Sequence, residues 1–355
     1  MITSTLNKQN FINWICDRLW TKFDSQEQFF HLQLDITNAC NLICDHCYCP
    51  HHRNDGSLNY GEWCQVLDKY EALLNTLHMK AHVTLCGGEP PLAPFILPLI
   101  ENIRKRFPDS LLSIQSNGTR ITEELTQKCK EFNVSFQISI DGPDGERNDQ
   151  IRGIGSFEKA MAGCGVLKDK SIPFIHQAVL SKRTAPWIDD FFALTRKTGA
   201  RSMNFARLVI EGHAQEFQLN NKDAPLLGEE LKTAYKRILD VSRRSGIATS
   251  TNGPLWCLIE NGLGAPNNVG FNGLVIGYQG KIKVTSRTPM VLGNILEDSL
   301  EDVIFNHPIM KRLRKGAFDI CSECSYFTQC RGDRNASFAT YGHFFGWDPG
   351  CWLKR

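Results

Sequence analysis

Residues 31–47 read HLQLDITNACNLICDHC. The first seven, His31–Thr37, form a short apolar and β-branched run that ends in turn-forming residues, as a strand does. The ten that follow hold Cys40, Cys44 and Cys47 in the spacing C-x3-C-x2-C. Three thiolates so spaced can hold three irons of a cubane and leave the fourth open to chelate a substrate or cofactor. A zinc site brings a fourth ligand and usually a different spacing. His46 and Cys49 stand near enough in sequence to supply one.

Working outward, the strand is the first of a series. His82–Cys86, Leu111–Gln115, Ser135–Ile140, Ile172–Val179 and Arg201–Val209 read as further strands. Tyr60–Leu77, Thr122–Phe132, Ser156–Lys168 and Thr184–Thr198 read as amphipathic helices between them. Strands alternating with helices predict parallel pairing with right-handed crossovers. Six such units predict an α/β fold, a partial (β/α)6 TIM-type barrel with its chemistry at the C-terminal strand ends. A long helix over Leu227–Ser245 follows, then a Gly-, Asn- and Pro-rich stretch after Asn261, a hairpin around Leu274–Thr285, and a second cysteine group. The expected organisation is an N-terminal extension (1–30), the barrel (31–255) and a smaller, cysteine-rich α+β domain (256–355).

The 40 basic and 38 acidic side chains nearly cancel, so no overall field attracts nucleic acid or a membrane surface. No apolar run approaches the roughly 18 residues of a membrane-spanning helix, and no signal peptide is evident at the N-terminus. Fourteen cysteines in a long chain without an export signal point to metal more than to disulfides, and so to a reducing cytoplasm.

The cysteine motif resembles that of the radical SAM superfamily, and the likeness extends over about residues 31–210. Asp35 and Thr37 fit the family's lead-in, and His46 matches the aromatic position beside the last cysteine. Gly87-Gly88-Glu89-Pro90 follows the second strand, Ser116-Asn117-Gly118 the third, and Ser139-Ile-Asp141-Gly142 the fourth, with Arg152 shortly after. The resemblance implies a [4Fe–4S] cluster on Cys40, Cys44 and Cys47, and S-adenosylmethionine on its open iron. It implies that Glu89 takes the methionine amino group, that Arg152 approaches the carboxylate, that Ser139 faces the ribose and that His46 lies near the adenine. Gly87, Gly88, Ser116, Asn117 and Asp141 complete the implied cofactor site. Each segment alone has a plainer reading, since Gly-Gly-Glu-Pro and Asn-Gly are common turns. Their order, each after a successive strand, argues against chance.

Near the C-terminus the chain reads Cys321-x2-Cys324-x5-Cys330, with Cys351 in Asp348-Pro-Gly-Cys351. Four thiolates suit a fully ligated cluster or a four-cysteine zinc site. The group resembles the SPASM extension of radical SAM enzymes, which carries seven cysteines and two auxiliary clusters. Here Thr285 and Arg334 stand where that pattern has cysteine, and Pro266–Gly273 contains none. The resemblance therefore implies one auxiliary [4Fe–4S] cluster, on Cys321, Cys324, Cys330 and Cys351. Of the remaining cysteines, Cys16, Cys64, Cys129 and Cys164 fit buried helix positions. Cys257, after the last barrel-like segment, is a candidate to face the cavity and donate a hydrogen atom to a substrate radical.

The expected activity is that of a radical SAM oxidoreductase. It would cleave S-adenosylmethionine to a 5′-deoxyadenosyl radical and abstract hydrogen from a peptide or protein, as a maturase that crosslinks, oxidises or epimerises a ribosomal peptide. A separate leader-binding protein and a reduced flavodoxin- or ferredoxin-type electron donor are the expected partners. The rival expectations are a radical SAM epimerase or dehydrogenase of a small molecule such as an amino sugar or amino acid, and a non-catalytic zinc- or cluster-binding protein.

Overall fold

The computed structural model describes residues 28–49, 56–215, 223–265 and 269–353. Most of the expected N-terminal extension, including Cys16, therefore lies outside the described residues. Strands β1 (Phe29–Thr37), β2 (Lys80–Gly87), β3 (Leu111–Ser116), β4 (Ser135–Ser139), β5 (Phe174–Leu180) and β6 (Met203–Arg207) pair in sequence order, all parallel. The connecting helices are α1 (Tyr60–Leu77), α2 (Ile96–Arg106), α3 (Glu123–Glu131), α4 (Gly145–Arg152), α5 (Ser156–Asp169) and α6 (Ile188–Thr198), and α7 (Gly228–Ser245) follows β6. This is the parallel α/β architecture of the expected partial barrel.

Helix α1 shows why the periodic segments fold as they do. Asn59 and Glu62 form a reciprocal capping box, and His78 closes the helix in the left-handed region. Trp63, Val66, Leu67, Tyr70, Leu73, Leu74 and Leu77 form its buried stripe. Two helices between the barrel strands were absent from the sequence reading. Helix α2 contains Pro98, which sits in the first turn where no intrahelical N–H is needed. Helix α4 is short and polar, and begins where the Asp144 side chain accepts from the Arg147 N–H.

Strands β1 to β4 each have a largely apolar outer face and a largely polar inner one. Phe30, Leu32, Leu34 and Ile36 of β1 are buried with Val83, Leu85, Ile114, Phe136 and Ile138 in the core beneath the helices. Gln33, Gln115, Gln137 and Gln177 line a cavity on the inner side. A closed TIM barrel fills this space with branched apolar residues; here it is left polar and open.

The expected hairpin is present as β7 (Gly273–Ile276) and β8 (Lys281–Lys283), extended by β9 (Gly293–Asn294). Strand β7 pairs parallel to β1, with Leu34 opposite Ile276, so the hairpin continues the barrel sheet. Helices α8 (Leu300–Asn306), α9 (Pro308–Lys315) and α10 (Arg334–Tyr341) complete the C-terminal part. Among the described residues no helix is long and apolar enough to cross a membrane.

Candidate active site

The loop after β1 starts where Thr37 Oγ1 accepts from the Ala39 N–H at 3.1 Å. A turn from Cys44 O to Cys47 N (3.2 Å) brings the last two cysteines together. Two distant segments clamp this turn: Asp45 N donates to Ile151 O (3.0 Å), and His213 N donates to Cys47 O (2.9 Å). Gly212 has a φ of +60°, and a Cβ there would lie 2.5 Å from Cys47 O, so only glycine permits the approach.

Cys40, Cys44 and Cys47 line one cavity of about 280 Å³. Gly87, Gly88, Ser116, Asn117, Ser139, Arg152 and His46 line it as well, so the structure brings these predicted residues together. Burial pushes the Cys44 thiol up to about 12, against the opposing pull of Arg152, and raises Cys40 and Cys47 too. Thiols so desolvated stay protonated until a cation offsets the thiolate charge. Metal binding at these sulfurs would therefore release protons. Among the described residues no three His, Cys, Asp or Glu side chains converge as ligands of a single metal ion. Three thiols spread around one cavity fit a multi-iron group that takes one thiolate per iron.

Glu89 and Asp141 lie behind the cavity wall, fully buried. Glu89 accepts from Ser116 Oγ (2.5 Å) and from the Asn117 N–H (2.8 Å), which fixes the turn after β3. Burial pushes its carboxyl up to about 7, against those two hydrogen bonds and Arg152. Its own turn is locked to the cysteine loop, since Gly88 N donates to Thr37 O (2.7 Å) and Glu89 N to Ala39 O (2.8 Å).

Asp141 joins three elements. Its Oδ2 takes Arg152 Nε at 2.6 Å and lies 3.1 Å from His46 Nε2, while Oδ1 accepts from the Val179 N–H at 2.7 Å. Burial acts to raise this carboxyl, but Arg152 and then His46 outweigh it and hold it well below the usual carboxylate range. Arg152, thus oriented, places Nη1 4.0 Å from Cys44 Sγ. A cation beside a thiolate stabilises its charged form. The cavity also includes residues that the sequence reading missed, namely the four inward glutamines, Arg207 at the end of β6, and Ser286 and Arg287 beyond β8. The missed signal was polar alternation in strands otherwise read as buried runs.

The second cysteine group also gathers. Cys321, Cys324, Cys330 and Cys351 line one small cavity with Leu255, Phe327 and Asp348. Cys330 Sγ accepts from the N–H groups of Leu255 (3.3 Å) and Gly332 (3.4 Å). Cys257 is buried and hydrogen-bonded to Cys330. The expectation that it faces the catalytic cavity is corrected: the 3-10 turn Trp256–Leu258 directs it into the auxiliary group. The two cavities meet at Arg207, whose guanidinium grips Asp348 through two bonds of 2.9 Å, three residues before Cys351.

Residues 34–188 match the family described as the radical SAM superfamily. The chain is 26% identical over 345 residues to the AdoMet-dependent heme synthase of Methanosarcina barkeri, covering 89% of this chain and 94% of that one. It is 26% identical over 334 residues to the mycofactocin maturase MftC of Mycobacterium tuberculosis, covering 90% and 82%. Among solved structures, Streptococcus suis SuiB bound to S-adenosylmethionine shares the fold with a TM-score of 0.74 at 13% identity, over 97% of this chain and 81% of that one. The enzyme anSMEcpe, solved with AdoMet and a peptide, gives 0.70 at 19% identity over 91% and 93%.

Proposed function

Because residues 34–188 carry a radical SAM superfamily domain, with the [4Fe–4S] cluster and S-adenosylmethionine that this family binds, we propose that the protein is a maturase that oxidatively modifies a peptide or protein. The bound cofactors supply a 5′-deoxyadenosyl radical able to take hydrogen from carbon. The protein's own residues hold and orient. Cys40, Cys44 and Cys47 ligate the cluster; Arg152, set by Asp141, meets a carboxylate; Glu89, behind the cavity wall, keeps the turn after β3 in place without itself reaching the ammonium group; Ser139 and His46 flank the nucleoside. Cys321, Cys324, Cys330 and Cys351 hold one auxiliary [4Fe–4S] cluster.

The observation that carries the peptide reading is the likeness to mycofactocin maturase over most of both chains. The fold shared with anSMEcpe, which was solved with a bound peptide, agrees with it. The likeness to heme synthases supports a second reading, a small-molecule substrate on a route to haem. A reduced flavodoxin or ferredoxin would supply electrons, and a separate protein would present the peptide's leader.

The test is anaerobic reconstitution, followed by incubation with S-adenosylmethionine, dithionite and either a peptide encoded beside this gene or a porphyrin substrate. We expect 5′-deoxyadenosine to accumulate with a peptide product lighter by two hydrogens and unlabelled in heavy water. Deuterium in a product of unchanged oxidation state would indicate epimerisation. Turnover of the porphyrin alone would overturn the peptide reading.

A further inference from the structure

Arg334 stands where the seven-cysteine pattern has a ligand, and the structure buries it to 1% exposure. Its guanidinium donates to Phe344 O (2.8 Å), Gly346 O (2.7 Å) and Gly332 O (3.3 Å). Nη2 lies 3.9 Å from Cys321 Sγ, and the Phe318 ring is 4.5 Å from the guanidinium carbon. Among the described residues no carboxylate lies within ion-pair distance of it. Of the other buried arginines near the cysteine groups, Arg152 has Asp141 and Arg207 has Asp348 and Asp333, while Arg331, next to Cys330, donates to Leu313 O at 2.9 Å and lies 4.3 Å over the Phe271 ring.

A buried cation without a counter-charge is costly, by several kcal/mol, and three carbonyl dipoles offset only part of this. The acidic group in contact with it is the Cys321 thiol at 3.9 Å, one of the four at Cys321, Cys324, Cys330 and Cys351. If these thiolates held a [4Fe–4S] group, the 2+ core and the four thiolates together would carry −2, which would become −3 on taking one electron. A fixed positive charge favours the more negative state, and hydrogen bonds to the sulfurs act in the same direction. The N–H groups of Leu255 and Gly332 already supply such bonds to Cys330. Arg207 adds no positive field, because its single charge is outweighed by its two carboxylates.

We infer that Arg334 sets the reduction potential of the auxiliary centre, holding it high enough for the centre to act as an electron acceptor. This rests on the proposed auxiliary [4Fe–4S] cluster. Arg334 is a tuning residue here and touches no substrate. Its charge takes the place of the ligand that would have served a second auxiliary cluster.

The experiment uses the full chain carrying Cys40→Ala, Cys44→Ala and Cys47→Ala, so that only the auxiliary centre reports. After anaerobic iron–sulfide reconstitution, the midpoint is measured by dithionite titration for Arg334 and for the Arg334→Gln and Arg334→Lys variants. Arg334→Gln is expected to lower the midpoint by about 59 mV or more, a tenfold change in a one-electron equilibrium. Arg334→Lys, which keeps the positive charge, is expected to hold the midpoint nearer to that of Arg334 than Arg334→Gln does. Should the Gln variant not load iron, the equally uncharged Arg334→Met variant takes its place, and a midpoint equal to that of Arg334 overturns the inference. Equal midpoints in iron-loaded proteins overturn it while leaving the auxiliary cluster standing. Zinc bound in place of iron overturns both.

Discussion

Asp141 shows how one side chain can organise a site that it does not enter. Its carboxylate is shut off from solvent, yet it fixes the ring of His46 and the guanidinium of Arg152, which both line the cavity. Glu89 is buried as deeply but has no ion pair among the described residues, and so behaves in the opposite way. Its carboxyl is raised to about 7 from an ordinary 4.5, chiefly by burial. The folded state therefore binds a proton between these pH values that the unfolded chain has released. Stability from this group is fully present below about pH 4.5 and is lost as pH rises through 7. For the metal-free protein we predict that urea unfolding of the parent weakens across this window by roughly 3 kcal/mol relative to Glu89→Gln. Parallel curves for the two proteins would contradict the assignment.

At the scale of elements, the decisive joint is between the ends of β1 and β2. Gly87 and Gly88 end β2 against the backbone that leads into Cys40. A Cβ on Gly88 would lie 2.3 Å from Ala39 O and 2.7 Å from Asn38 O, and neither backbone atom can rotate away. Gly88→Ala must push the cysteine loop off its seat. We predict a loss of about 2 kcal/mol in stability together with a clear fall in iron bound through Cys40, Cys44 and Cys47. Iron content after desalting, compared with the conservative control Gly165→Ala, which meets open space, checks this. The sequence reading named these glycines from their motif. That they face Thr37, Asn38 and Ala39 follows from the parallel register of β1 on β2, with Thr37 opposite Gly87.

At the scale of the molecule, two cysteine groups far apart in sequence are joined through one buried ion pair. Arg207 lines the first cavity, while Asp348 lines the second. Burial acts to raise the Asp348 carboxyl, but Arg207 holds it below the usual range. Gly350 leaves room for this contact, since a Cβ there would sit 2.2 Å from Arg207 Nη2. If each group holds its own cluster, the parent protein binds about eight irons, and the Cys40→Ala, Cys44→Ala, Cys47→Ala variant about four. Iron and sulfide analysis checks this, and about twelve irons would refute a single auxiliary cluster.

The sequence by itself determined the repeated strand–helix order, the parallel sheet and the two cysteine sets. These rest on local signals, namely apolar period, turn residues and ligand spacing, which survive without long-range contacts. The tertiary structure alone decided which buried charges face one another. Pairing of Asp141 with His46 and Arg152, placement of Cys257 against Cys330, and isolation of Arg334 from any described carboxylate depend on loops that meet across the fold. No period records such meetings, because the energy of a buried charge is set by its neighbours in space and not by its neighbours in the chain.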